Sequence, residues 1–309
     1  MISVSHLTKR YGQFTAVDDI SFTCETGRVT GFLGPNGAGK STALRMIAGL
    51  TPPTSGEALL DGVPFRDIPN PGTQVGVLLD ASAQHAGRSG REILKVGAST
   101  MGLPAKRVDE VLELVGLTKA ESKRRVKNYS LGMRQRLGIA HAMLGDPQIL
   151  LLDEPANGLD PAGIRWMRDL MKFYAERGGT VLLSSHLLHE IEVIADDIVV
   201  IGNGKIMAHT SKAELLASAG TQVRGLDESA LLAALVAAGI SAEAALDGSL
   251  RTQATPEEVG RVAAAAGVVL TELRMADAPR LEDLFLDLTS TAQRDAVTAP
   301  APSQTGVTA

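Results

Sequence analysis

The sequence predicts an α/β fold built around a parallel sheet, and three observations carry that expectation. Two continuous apolar runs, Ile149 to Leu152 and Thr180 to Leu183, each stand next to a helical segment; strands apolar on both faces that alternate with helices belong to a sheet covered on both sides. A third short run, Val29 to Leu33, leads directly into the glycine-rich stretch G-P-N-G-A-G-K-S-T, Gly34 to Thr42, which opens a helix over Ser41 to Ala48. The chain is 309 residues long, 44% apolar and 21% charged, which suits a globular protein with one large domain and a smaller one.

Taken in order, the elements read as follows. Val17, Ile20, Phe22 and Cys24 mostly alternate with polar residues, as in a half-buried strand. Glu57 to Leu60, followed by Asp61-Gly62, reads as a strand entering a tight turn. From about Arg88 to Leu144 the period becomes helical: Val108, Val111, Leu112 and Val115 recur at three- and four-residue spacing, and Gly116 is a stop. Ile198 to Ile201, Asn203-Gly204 and Lys205-Ile206 read as a closing hairpin. Residues 1–215 are therefore expected to form one α/β domain with a helical insertion at 88–146. Residues 221–289 alternate Ala/Leu-rich helices (228–239, 256–267) with short strand-like pieces (250–253, 268–273), a small α+β accessory domain of ββα type. An amphipathic segment, Leu281 to Thr289, is expected as a last helix. Residues 290–309, rich in Pro, Ala, Ser and Thr without an apolar period, are expected to be a disordered tail.

The charge balance removes some function classes. A net charge of −5 and a pI near 5.7 offer no global attraction for nucleic acid or anionic lipid. The basic run Lys119 to Lys127 has no interleaved aromatics and reads as a solvated face. The N-terminus lacks the layout of a signal peptide. The longest apolar run, Ala230 to Ile240, falls short of the ~20 residues that cross a bilayer. A membrane role is thus expected to come through another chain. The single cysteine, Cys24, cannot pair internally and reads as a small core residue.

Two motifs carry chemistry. Gly34 to Ser41 fits G-x-x-x-x-G-K-[ST] between a strand and a helix, the context of a phosphate-binding loop. The backbone of Gly34, Pro35, Asn36, Gly37, Ala38 and Gly39 would turn its N–H groups toward phosphate oxygens, aided by the positive end of the helix that Thr42 continues. Lys40 would neutralise the β and γ phosphates, and the Ser41 hydroxyl would hold Mg²⁺. A glycine-rich turn with a chance lysine is the plainer reading; the full pattern with its flanks favours phosphate. The second motif, I-L-L-L-D-E-P, Ile149 to Pro155, ends a buried strand in two carboxylates. Asp153 would enter the Mg²⁺ shell and Glu154 would polarise the attacking water. Alone it could be an acidic turn; with the phosphate loop it points to hydrolysis.

These residues resemble the ATP-binding-cassette (ABC) ATPases over roughly residues 1–215. Y-S-L-G-M-R-Q-R, Tyr129 to Arg136, sits where that family carries its signature. The resemblance implies that Ser130 and the Gly132 backbone reach the γ-phosphate of a second subunit across a homodimer. Ser130 also reads as an ordinary N-cap. N-G-L-D, Asn157 to Asp160, matches the loop that couples the two sites. S-S-H, Ser184 to His186, matches the switch histidine that contacts the γ-phosphate; His6, His85, His141, His189 and His209 read as structural or surface. Tyr11 in K-R-Y-G matches the aromatic that stacks on adenine, against the plainer reading of a half-exposed strand tyrosine. Leu131 and Met133 depart from the usual L-S-G-G-Q signature, and this S-L-G-M form resembles bacterial drug- and antibiotic-export ATPases, including the bacitracin and daunorubicin resistance type. The residue in place of the family's Q-loop glutamine is Asp80, which could touch Mg²⁺, or else Gln84. The resemblance implies an ATP- and Mg²⁺-dependent ATPase subunit of an exporter, cytoplasmic and peripheral on the inner face of the cell membrane, working with an integral membrane permease. The alternative is a soluble cassette ATPase acting on nucleic acid or the ribosome. A single P-loop and an acidic pI argue against it, so no nucleic-acid partner is expected. A GTPase reading lacks an N-K-x-D motif.

Overall fold

The computed structural model describes residues 1–212, 214, 220–244 and 248–275. Strands β1 (Ile2–Tyr11) and β2 (Phe14–Cys24) form an antiparallel hairpin. β3 (Val29–Leu33) enters the glycine loop and α1 (Lys40–Ile47), and β4 (Ser55–Leu60) returns to pair with β1. β5 (Val75–Leu78) precedes four helices: α2 (Gly90–Met101), α3 (Lys106–Leu114), α4 (Lys119–Ser122) and α5 (Leu131–Ala142). β6 (Ile149–Leu152), α6 (Pro161–Glu176), β7 (Thr180–Ser185), α7 (Leu188–Ile194) and the hairpin β8 (Asp197–Gly202) to β9 (Lys205–Ser211) follow.

The main sheet runs β5-β6-β7-β3-β8-β9, parallel except for β9. Its inner strands β6, β7 and β3 are mostly apolar and buried on both sides because each face packs on a different core. Val29, Leu33, Leu150, Leu152, Val181 and Leu183 point into the layer formed with α2, α3, α5, α6 and α7. Phe32, Ile149, Leu151 and Leu182 point the other way, into the layer formed with α1 and the β2-β1-β4 sheet. Alternate residues of one run thus fill two cores, so no polar alternation survives in the sequence. Parallel pairing also brings the C-terminal ends of β3, β6 and β7 to one edge, where open α/β sheets collect their ligands.

Two of the insertion helices begin at strong local start signals. Ser89 and Glu92 form a capping box on α2, and Thr118 and Glu121 form another on α4. All five basic side chains between Lys119 and Lys127 are exposed, as expected of a solvated face. Among the described residues, no helix is long and apolar enough to cross a membrane.

Cys24 is fully buried, and burial pushes its thiol up to about 12. An aromatic-disulfide thiol reagent is expected to leave the native protein unmodified and to label one thiol per chain after unfolding. Rapid labelling of the native protein would contradict this placement.

The C-terminal unit corrects the ββα expectation. Its order is β10 (Thr221–Gly225), α8 (Glu228–Ala237), β11 (Ala242–Ala244), β12 (Leu250–Thr252), α9 (Pro256–Ala265) and β13 (Leu270–Met275), a βαββαβ arrangement. The antiparallel sheet runs β11-β12-β10-β13. Two strands lacked a sequence signal: β11 has three residues, and the central β10 reads T-Q-V-R-G. Its Thr221 and Gln222 are buried with partners: Thr221 Oγ1 donates to the Ala254 carbonyl and Gln222 Nε2 to Ser249 Oγ at 2.8 Å. Val223, Leu231, Leu235, Leu250, Val259 and Ala263 form the core between sheet and helices. The segment Leu281 to Thr289 and residues 290–309 lie outside the described residues.

Candidate active site

The glycine loop takes its shape from two close approaches. At Gly34 a Cβ would lie 2.4 Å from the Ile201 carbonyl, and at Gly39 (φ +111°) it would lie 2.6 Å from the Ala16 carbonyl. Only glycine fits either place, so the loop wraps tightly before α1 begins. No side chain caps α1, which leaves its first N–H groups directed at the cleft in front of the loop.

Lys40 is buried beneath this loop. Its ammonium donates to the Gly34 carbonyl at 2.6 Å and the Pro35 carbonyl at 3.2 Å, and lies 3.6 Å from Glu154 Oε1. Burial lowers its pKa, and the nearby Glu154 and Asp153 carboxylates oppose that shift. The lysine thus stands between backbone carbonyls and a carboxylate, where phosphate oxygens would be stronger partners.

Glu154 sits just past the end of β6 in the left-handed region, φ +48°, a conformation that costs an L-residue roughly 1–2 kcal/mol. Four contacts hold it there. Its N–H donates to Ser184 Oγ at 3.0 Å, and its carbonyl accepts from Gln135 Nε2 at 2.9 Å. Its carboxylate meets His186 Nδ1 at 2.8 Å and faces Lys40. The Ser184 hydroxyl in turn donates to Asp153 Oδ1, so one serine orients both acidic residues. Among the described non-glycine residues with positive φ, the others are all Asn, Asp or His, which adopt it readily; a glutamate held there with its carboxylate at the cleft is the pattern of a functional site. Sequence reasoning missed Ser184 and Gln135, because neither has a signal apart from the tertiary contact.

A cleft of about 440 Å³ opens in front of these groups, lined by Asn36, Gly37, Gly39, Lys40, Ser41 and Thr42 of the loop and by Glu154 and His186 opposite. Asn157, Ala16 and Phe14 complete it. Its chemistry is that of a triphosphate cradle faced by a carboxylate–histidine pair that can orient water.

The other sequence-derived residues are distributed around this cleft. Gly34, Pro35 and Ala38 form the back of the loop rather than its lining. Tyr11 is half-exposed at 52%, with the Lys9 ammonium 5.1 Å from its ring centroid, and does not line the cleft. Its cross-strand partner Phe14, 51% exposed, does. Sequence reasoning missed Phe14; the signal was the two-residue Gly12-Gln13 turn, which sets the two aromatics opposite each other. Asp80 is exposed and caps a short turn, accepting from Ser82 N–H at 2.7 Å and Ser82 Oγ at 2.6 Å. Those bonds hold its carboxyl below the usual range. It does not line the cleft, and Gln84 lines a separate groove beside α2. Ser130 caps α5 and Asp160 caps α6, through Met133 N–H and Gly163 N–H. Both stand outside the cleft lining, as does Gly132. A Cβ on Gly132 would lie 3.2 Å from the Gly158 carbonyl, and Leu131 occupies the space a Cβ at Gly158 would need. The tip of α5 therefore packs on the turn that leads into α6, with the unusual signature leucine seated on Gly158.

A phosphate loop on a parallel strand, with an acidic pair at the end of the next strand but one, defines a P-loop nucleoside-triphosphate hydrolase. The ABC transporter family profile matches residues 17–157. The ABC transporter ATP-binding protein YhcH of Bacillus subtilis is 44% identical over 210 residues, covering 67% of this chain and 68% of that protein. The bacitracin transport ATP-binding protein BcrA of Bacillus licheniformis is 43% identical with the same coverage. Among solved structures, an ATP-binding subunit of an ABC transporter superposes with a TM-score of 0.63 at 27% identity, over 70% of this chain and 91% of that one. The chain belongs to the ATP-binding subunits of ABC transporters and is an ATPase of that family.

Proposed function

We propose that this chain hydrolyses ATP for a bacterial exporter, driving a separate membrane permease in drug or antibiotic efflux. The observation that carries this reading is the division of the site. Lys40, Glu154 and His186 share one cleft, whereas Ser130, Gly132 and Asp160 sit together on helix tips outside it. Two copies facing each other would place those tips over each other's phosphates. The triphosphate would lie along Asn36 to Thr42, with Lys40 on its β and γ groups. Mg²⁺ fits the donor set: the Ser41 hydroxyl and the Asp153 carboxylate are hard oxygen ligands, and this ion takes its remaining ligands from phosphate and water. When bound, it would neutralise charge developing on the transferred phosphoryl group. Glu154 would accept a proton from the attacking water while His186 holds that carboxylate in place.

Export is supported by relatives named as bacitracin transport and lantibiotic transport ATP-binding proteins. A groove of about 370 Å³ lined by Gln84, His85, Arg88, Val96 and His141 is the proposed permease dock. Through it residues 1–215 would be held on the inner face of the cell membrane, with the C-terminal unit as an accessory domain. The test compares ATP turnover of the purified chain alone, with a co-expressed polytopic partner in proteoliposomes, and with RNA or DNA. Stimulation by the membrane partner is expected; stimulation by nucleic acid instead would overturn the reading.

The adenine platform is tested separately. Alanine at Tyr11 or at Phe14 is expected to weaken ATP binding by about 1–3 kcal/mol, the usual worth of base–aromatic stacking, and to leave tripolyphosphate binding unchanged. Calorimetry on the two variants decides between the rings, because an aromatic whose loss changes nothing is not the platform.

A further inference from the structure

Behind the cleft, three helices meet at one polar knot. Trp166 on α6 donates its indole Nε1–H to the Leu114 carbonyl at 3.3 Å. Arg136 on α5 donates from Nη1 to the adjacent Val115 carbonyl at 2.7 Å. Both carbonyls belong to the end of α3, where the helix itself has no N–H left to offer. The guanidinium also lies over the indole, with Cζ 4.2 Å from the ring centroid. Each side chain thus makes two contacts, one to α3 and one to the other.

We propose that Arg136 and Trp166 are positioning residues that lock α5 against α6 and so set the reach of Ser130 and Gly132 toward the second copy's nucleotide. The inference rests on the two-copy reading above. Ser130 and Asp160 each precede the clasped residue of their helix by six positions, about 9 Å of helix axis. At the tips, Leu131 and Gly132 pack on Gly158. The clasp adds a second contact between α5 and α6, which fixes the angle at which α5 presents its tip. Gln135, the neighbour of Arg136, holds the Glu154 carbonyl, so the same turn of α5 reaches both the clasp and the strained catalytic backbone. Arginine suits the position because its planar fork can stack and donate at once, which a lysine ammonium cannot. The knot contributes no group to the cleft, so its effect falls on assembly of the paired site and not on first contact with nucleotide.

The test uses the full chain. Arg136→Met is expected to lower kcat about tenfold or more, since misplacement of about 1 Å at a reacting centre can cost ~10²-fold, while ATP binding to the single chain is unchanged. Arg136→Lys is expected not to restore kcat, and Trp166→Phe, which keeps the ring face and loses the N–H, to fall between. In a Glu154→Gln background, Arg136→Met is expected to weaken the ATP-dependent dimer. Trp166 is the only tryptophan in the sequence, so its emission should change when ATP drives that dimer together, and the change should vanish with Arg136→Met. Parental turnover in Arg136→Met, or an equal loss in ATP binding and turnover, would overturn the proposal. If Arg136→Met does not fold, Trp166→Phe carries the same comparison, and parental kcat and dimerisation there would overturn it. Absence of any ATP dimer in Glu154→Gln alone would refute the two-copy reading, whereas an equally strong dimer with and without Arg136 would refute only the clasp.

Discussion

Replacing Glu154 by glutamine is expected to slow ATP turnover by ~10²–10⁴-fold, the usual worth of a positioned general base, while ATP still binds and a dimer loaded with ATP accumulates. The amide has the shape of the carboxylate and keeps its scaffold. The backbone N–H still reaches Ser184 Oγ and the carbonyl still accepts from Gln135, so the left-handed turn at φ +48° is undisturbed. The side-chain oxygen can still accept from His186 Nδ1. What disappears is the negative charge and its ability to take a proton from water. Loss of that charge also removes repulsion against a triphosphate held by Lys40, only 3.6 Å from Glu154 Oε1. Binding is therefore expected to persist or tighten as hydrolysis stops. Phosphate release and sedimentation with ATP measure the two halves of this result. Near-parental turnover would remove Glu154 from its role.

Lys40→Met is expected to fail at the earlier step. Methionine fills much of the same buried channel but leaves no cation beneath the loop. Truncating one partner of a buried charge pair costs about 2–5 kcal/mol, so ATP affinity should fall by one to several orders of magnitude, with turnover lost in parallel. The change also leaves Glu154 without the cation beside it, while His186 remains. The two variants should separate cleanly in calorimetry: Glu154→Gln binds ATP and does not cleave it, and Lys40→Met does neither. Normal ATP affinity in Lys40→Met would mean that the phosphate cradle lies elsewhere.

The readable parts of the site were those made by neighbours in the chain. The glycine loop places Gly34, Gly39 and Lys40 within seven residues, and its strand and helix flanks follow from local pattern alone. The Asp153-Glu154 pair was legible for the same reason, as the polar end of a strand apolar on both faces. Other features depend on which distant segments meet. Phe14 enters the cleft through hairpin register, and Ser184 and Gln135 matter through bonds to residues 30 and 19 positions away. Strands β10 and β11 gave no period because a central strand can bury polar side chains once their hydrogen bonds are satisfied.

By itself, then, the amino-acid order determined the parallel α/β class, the triphosphate chemistry and the family resemblance, because strand pattern and loop conformation are written in short contiguous stretches. Only the tertiary structure decided that Glu154 is held in a strained turn, that Phe14 and not Tyr11 lines the cleft, and that Asp80 caps a turn outside it. The reason is that these outcomes depend on distances between residues far apart in the chain, which packing sets and local propensity does not encode.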